Sequence, residues 1–273
     1  MTIDNYLRET TILLKNSEVH PSRLDAELLL CHVLDVERDW LQAHYDDELL
    51  PEMNVKLNDL VKRRLNHEPI AYITGRKEFY GRDFTVNQHV LVPRPETEDV
   101  IDLAKQYAPF RGRALDVGTG SGCIGITIKL ERPDINMTIC DISEKALSVA
   151  RHNASKLAAK PLRYVESDLL NHWLSHKNPA LFDIIIANLP YVAKTWPTSP
   201  ETQHEPPLAL YADDDGLELI FRLINQSISL LSPSGYLLLE ADPEQHDSII
   251  EYAGNYNLSL VEQRAYAVLL ARG

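Results

Sequence analysis

From residue 113 to the end of the chain, short apolar runs alternate with longer amphipathic stretches, and this alternation constrains the fold more than any other feature. Residues 114–116, 137–140, 163–165, 183–186 and 236–240 read as strands. Helical spacing marks 124–130, 143–157, 217–231 and 244–253. Ser232-Pro233-Ser234-Gly235 turns the third of those helices into its strand. Strands separated by helices specify a mostly parallel sheet with helices on both faces. Residues 259–261 and 267–270 close the chain as a hairpin that adds one antiparallel strand. The expected class is α/β, Rossmann-like and seven-stranded.

The preceding part has a different texture. Residues 3–67 are helical throughout, with Leu24, Leu28, Leu29 and Val33 at helical spacing, and Val55, Leu57, Leu60, Val61 and Leu65 likewise. Ser22 and Pro51 stand at helix starts. A helical docking domain is therefore expected over 1–72 and a β-hairpin linker over 73–98. The α/β domain then spans 99–273. In the linker, residues 79–86 alternate and turn like a hairpin, and 90–92 form a short strand closed by Pro93. Pro93-Arg94-Pro95-Glu96-Thr97-Glu98 leads into a helix toward Tyr107.

The formal net charge is −13, with acidic residues spread along the chain. Non-specific nucleic-acid adhesion needs clustered Lys and Arg, so no direct nucleic-acid partner is expected. Lys62-Arg63-Arg64 reads as a solvated helix face. Cys31, Cys123 and Cys140 have no metal-ligand spacing and read as reduced thiols in a reducing compartment. The start lacks the basic and apolar regions of a signal peptide, and no apolar run reaches bilayer length. A cytoplasmic monomer without a membrane partner is the expectation.

Gly118, Gly120 and Gly122 follow a strand and open a helix, the context of a nucleoside-binding loop. Asp141, 23 residues after Gly118 at the end of the next strand, is placed to accept both ribose hydroxyls. A dinucleotide dehydrogenase would share these features. Two points favour S-adenosylmethionine instead. The glycines of Gly118-Thr119-Gly120-Ser121-Gly122 alternate rather than follow the dinucleotide spacing, and Asp116 suits an ammonium group better than a pyrophosphate. Asp168 suits either an adenine amino group, with Leu169 against the base, or a helix cap.

Asn188-Leu189-Pro190-Tyr191 ends the apolar run 182–187. Alone, it would be a strand closed by a proline turn. In order after the cofactor loop, it fits methyl transfer to an amide or amino nitrogen. Such a nitrogen has a delocalised lone pair, so both N–H groups must be held while the lone pair faces the methyl carbon. Asn188 supplies a side-chain carbonyl and Leu189 a backbone carbonyl, directed outward because Pro190 keeps Leu189 extended. Tyr191 is placed to lie against the substrate plane near the sulfonium. No strong base is needed, so Glu98, His204 and Glu205 are not assigned as bases. Glu96 is a further candidate to approach the cofactor.

These residues resemble the PrmC/HemK family of release-factor glutamine methyltransferases over nearly the whole chain. Matching pieces include Gly75-x-x-Glu78-Phe79-Tyr80-Gly81, residues 90–98, 115–122, Asp141, Ser167-Asp168 and Asn188 through Tyr191. Later matches are Glu205-Pro206-Pro207-Leu208-Ala209-Leu210 and Asp215-Gly216-Leu217. The resemblance implies a class I methyltransferase domain behind a small helical one, and peptide chain release factors as partners. It also implies methylation of the glutamine in their Gly-Gly-Gln motif. Arg94-Pro95-Glu96 favours release factors over the ribosomal-protein substrate of a related family. Two departures stand out. Leu189 replaces the family's first proline, and since that position acts through its carbonyl, Leu189→Pro is expected to leave or improve turnover. Residues 262–266 lack the family's longer turn.

The alternative is an amino-methyltransferase acting on a nucleic-acid base or on another protein's glutamine. The base-modifying reading needs a target-recognition domain and a basic groove, and the sequence shows neither. A fold that has kept binding but lost catalysis is disfavoured by intact Asn188, Pro190, Tyr191 and Asp141.

Overall fold

A computed structural model of the chain describes residues 1–273. Two units emerge, Met1–Arg76 with Ser199–His204, and Lys77–Thr198 with Glu205–Gly273. No helix is long and apolar enough to cross a membrane.

The first unit carries α1 (Ile3–Asn16), α2 (Ser22–Leu34), α3 (Arg38–Ala43), α4 (Pro51–Leu65) and α5 (Ile70–Thr74). The Thr2 hydroxyl caps α1 by accepting from the Asn5 amide, and Pro51 occupies the first turn of α4, where its missing N–H is no loss. Leu7, Leu14, Leu29, Leu30 and Leu57 are fully enclosed at its centre. The basic triplet departs from the solvated face expected of it. Lys62 and Arg63 are exposed and pair with Asp59 and Glu68, but Arg64 is 1% exposed. Its Nε donates to Asp25 Oδ2 at 2.7 Å, Nη1 to the Glu68 carbonyl at 3.0 Å, and Nη2 to Glu201. A buried guanidinium must be fully paired, and its partners lie too far apart in sequence for the triplet to reveal them.

The second unit opens with the hairpin β1 (Arg76–Phe79) and β2 (Arg82–Thr85), then α6 (Glu98–Tyr107) and β3 (Arg113–Val117). It continues with α7 (Cys123–Glu131), β4 (Asn136–Asp141), α8 (Glu144–Lys156), β5 (Arg163–Glu166), α9 (Asn171–Leu174) and β6 (Phe182–Asn188). The short pair β7 (Val192–Ala193) and β8 (Tyr211–Ala212) follows. Then come α10 (Glu218–Ser227), β9 (Leu231–Glu240), α11 (His246–Gly254), β10 (Leu258–Arg264) and β11 (Ala267–Arg272).

Seven strands form one sheet in the order β10-β11-β9-β6-β3-β4-β5. Pairing is parallel from β9 through β5, and β11 runs antiparallel to both of its neighbours. Alternation along each strand feeds two cores. Leu115, Ile185, Ala187 and Leu237 face one side, and Ala114, Ile184, Ile186 and Leu238 the other. Because β3, β4 and β6 are parallel, their carboxyl ends share one edge. That edge carries the loops after Val117, Asp141 and Asn188, where open α/β sheets bind ligands.

Two local expectations fail. Residues 90–92 form no strand, since the Val92 N–H donates to Glu205 Oε2 at 3.2 Å instead of joining a ladder. Helix α10 ends at Ser227 rather than near 231. Leu231 already pairs with Phe182, and the register shift before Tyr236 puts Ser232-Pro233-Ser234-Gly235 inside β9 as a bulge.

Candidate active site

The loop after β3 is shaped by its own backbone. The Gly118 and Thr119 amides both donate to the Cys140 carbonyl at 2.9 Å, which folds the loop over the end of β4. Gly118, Gly120 and Gly122 all have positive φ. At Gly122, with φ of +84°, a Cβ would be conformationally strained and would also meet Ala150 Cβ on α8 at 3.1 Å, so glycine suits the start of α7. The Gly120 amide donates to Asp141 Oδ2 at 2.9 Å, and the Ser143 amide to Asp141 Oδ1 at 2.9 Å. Each of those oxygens keeps further acceptor capacity. Burial raises the Asp141 carboxyl pKa above the usual range, against the pull of these backbone N–H groups.

Beside the loop lies a cavity of about 530 Å³, a volume suited to a nucleoside-sized ligand. Gly118, Thr119, Gly120, Ser121, Asp141, Asp168, Leu169, Asn188, Leu189 and Pro190 line it. Asp168 shares its Oδ2 with Arg222 at 2.8 Å and Asn171 at 3.1 Å, so its carboxylate is already held at the rim.

Four residues expected at the ligand stand elsewhere. Asp116 is fully buried behind the loop and does not line the cavity. Its Oδ2 accepts from the Thr119 hydroxyl at 2.6 Å and the Gly125 amide at 2.9 Å, and burial pushes its pKa up to about 6. It shapes the loop from beneath rather than reaching an ammonium group. Gly122 opens α7 and is likewise buried. Tyr191 turns inward, its hydroxyl 3.4 Å from Glu240 Oε1, so it does not lie along the cavity as expected. Glu96 is exposed and outside the lining.

The tetrad is braced from behind. The Gln245 Nε2 donates to the Tyr191 carbonyl at 2.9 Å and to the Asp215 carbonyl at 2.8 Å. Gly216 passes so near the same Tyr191 carbonyl that a Cβ there would meet it at 2.0 Å. Asn188 Nδ2 donates to the Thr97 hydroxyl at 3.2 Å. Leu189 is not loop-like: its side chain is 4% exposed and belongs to the core under β6 and β9. Glu205 accepts from Arg94 at 2.5 Å and from the Val92 amide, which is a structural use and not that of a base.

Comparison with known proteins decides the family. The PrmC N-terminal domain model matches residues 5–75, and the methyltransferase small domain model matches 100–270. A release factor glutamine methyltransferase from Koribacter versatilis is 39% identical over 240 residues, covering 84% of each chain. The chain belongs to the release factor glutamine methyltransferase family. Another member, from Neisseria gonorrhoeae, is 38% identical and 80% of each chain is covered. A methyltransferase structure from Pyrococcus furiosus aligns with a TM-score of 0.55 at 18% identity, over 79% of this chain and 99% of that one, which speaks to the fold. The protein is thus a methyltransferase with this family's two-part organisation.

Several supporting residues were not singled out as site residues in the sequence. Thr97, Asn153, Glu240 and Gln245 each act through partners distant in the chain. The one available signal was Glu240 itself, a charged residue ending the apolar run Leu237-Leu238-Leu239 of a buried strand.

Proposed function

We propose that this protein transfers a methyl group from S-adenosylmethionine to the side-chain amide nitrogen of the glutamine in the Gly-Gly-Gln motif of peptide chain release factors. The single observation that carries the reading is Asn188 and Leu189 lining the same cavity as the glycine loop and Asp141. Family membership supports the substrate.

The cavity fits the cofactor. Gly120 has nothing within 4 Å of where a Cβ would be, which leaves its backbone open to a ligand. Asp141 would hold the ribose hydroxyls with the acceptor sites its two backbone donors leave free. Leu169 would pack on the adenine, with Asp168 beside it at the rim. When bound, S-adenosylmethionine supplies an electrophilic methyl carbon on a sulfonium.

The chain's own work is positioning. Asn188 Oδ1 and the Leu189 carbonyl accept the two N–H groups of the substrate amide, which fixes its plane and aims the nitrogen lone pair. Pro190 keeps Leu189 extended so that the carbonyl stays outward. The nitrogen becomes acidic as it is alkylated and sheds its proton to water, so no strong base is required.

The test is mass spectrometry of a purified bacterial release factor incubated with the protein and S-adenosylmethionine. One added methyl on the Gly-Gly-Gln glutamine is expected, with at least a ~100-fold loss of rate in Asn188→Ala. Cofactor binding without any methylated release factor would refute the substrate.

A further inference from the structure

Glu240 ends β9 in register with Asn188 at the end of β6. It is 1% exposed, and its Oε2 has no partner of proper hydrogen-bond geometry. A carboxyl group this enclosed is expensive to keep charged, and burial pushes its pKa up to about 7. The Tyr191 hydroxyl stands 3.4 Å from its Oε1, and hydrogen bonding from Thr97, Tyr191 and Asn188 favours the charged form, while Glu96 opposes it.

An ionised carboxylate only accepts hydrogen bonds, so every group facing it must donate. The Thr97 hydroxyl has one proton. Once that proton points at Glu240, the Thr97 oxygen remains as an acceptor, and Asn188 Nδ2 donates to it at 3.2 Å. The amide nitrogen of Asn188 is then committed to Thr97, which leaves Oδ1 as the acceptor available to a substrate. A side-chain amide can be seated in two ways that exchange O and N. Only the seating with oxygen outward accepts a substrate N–H.

We propose that Glu240, in its ionised form, is a positioning residue that fixes the seating of the Asn188 amide through Thr97, so that Asn188 presents an acceptor to the substrate amide. The inference rests on the reading of Asn188 as that acceptor. A neutral group at 240 could donate to Thr97, which would then donate onward to Asn188 and reverse the amide. The role is therefore polarity, not packing.

The test is steady-state methylation of a purified bacterial release factor by the full-length protein and its Glu240→Gln, Thr97→Val, Thr97→Ser and Glu240→Gln/Thr97→Val variants. S-adenosylmethionine affinity is measured by calorimetry alongside. Glu240→Gln and Thr97→Val should each lower kcat by about 10- to 100-fold, with cofactor Kd changed by less than about twofold. Thr97→Ser keeps the hydroxyl and should retain kcat within about threefold. The double variant should be no slower than the slower single one, because both break one chain of donors.

Unchanged kcat in Glu240→Gln overturns the inference, as do multiplying losses in the double variant. A fall in Thr97→Ser as deep as in Thr97→Val overturns it too, since the methyl group would then be what matters. Loss of cofactor affinity in Glu240→Gln would mark a merely structural role and also overturn it. If the unaltered protein methylates no release factor, the substrate reading itself fails and takes this inference with it.

Discussion

Leu189 shows how one side chain can serve two ends. Its carbonyl is proposed to hold a substrate N–H, and its side chain fills the core beneath β6 and β9. The sequence suggested that proline in this place would be harmless, because only the carbonyl mattered. The structure adds a packing role for the side chain. Leu189→Pro should keep kcat within about threefold, because the carbonyl persists, while losing about 1–2 kcal/mol of stability from the smaller apolar side chain. Urea denaturation and steady-state kinetics on the same preparation check both halves. A tenfold fall in kcat at unchanged stability would mean that the leucine side chain itself sets the loop geometry. Glu240 makes the complementary point, since a charge at the end of an apolar strand is the kind of local inconsistency that marks a working site.

Between elements, the glycine loop depends on a residue from outside it. Asn153 on α8 is fully buried, and its Oδ1 accepts from the Thr85 amide at 2.8 Å. Its Nδ2 donates to the Thr85 and Ser121 carbonyls, both at 2.9 Å, so one amide joins β2 to the loop. Asn153→Ala would strand the buried Ser121 carbonyl and the part-buried N–H and carbonyl of Thr85, and a loss of about 2 kcal/mol is expected. S-adenosylmethionine affinity should fall several-fold as Ser121 is released. Thermal unfolding and calorimetry test this, and unchanged affinity would show that the loop holds its shape alone. The strands and the glycine loop were legible because apolar runs and glycine spacing are local signals. Asn188 was legible because its neighbours in the chain are also its neighbours in the site. Residues 90–92 misled because their alternation is that of a strand, while the Val92 amide is spent on Glu205 and the Val90 amide on the Asn87 carbonyl. Asn153, Thr97 and Gln245 stayed silent because isolated polar residues in helices and turns usually meet only water. The inward turn of Tyr191 was hidden for the same reason, since its partner lies 49 residues away.

At the scale of the whole chain, the net charge of −13 sets how the protein meets a partner more than how it folds. The two units are likewise not arranged as successive halves of the sequence. The chain leaves the second unit after Thr198, contributes Ser199–His204 to the first, and re-enters at Glu205. Within that excursion Glu201 reaches the buried Arg64, and the Asn66 carbonyl is met by His204 at 2.8 Å. A fragment comprising residues 1–76 should accordingly show faster amide exchange in α4 than the full chain does. Equal protection by mass spectrometry would show that the six-residue excursion contributes nothing. Recombination moves genes in contiguous blocks, and a module that closes on a piece of its neighbour cannot travel whole in one. Exchanging the helical unit together with its closing segment between relatives would require cuts at 76/77, 198/199 and 204/205.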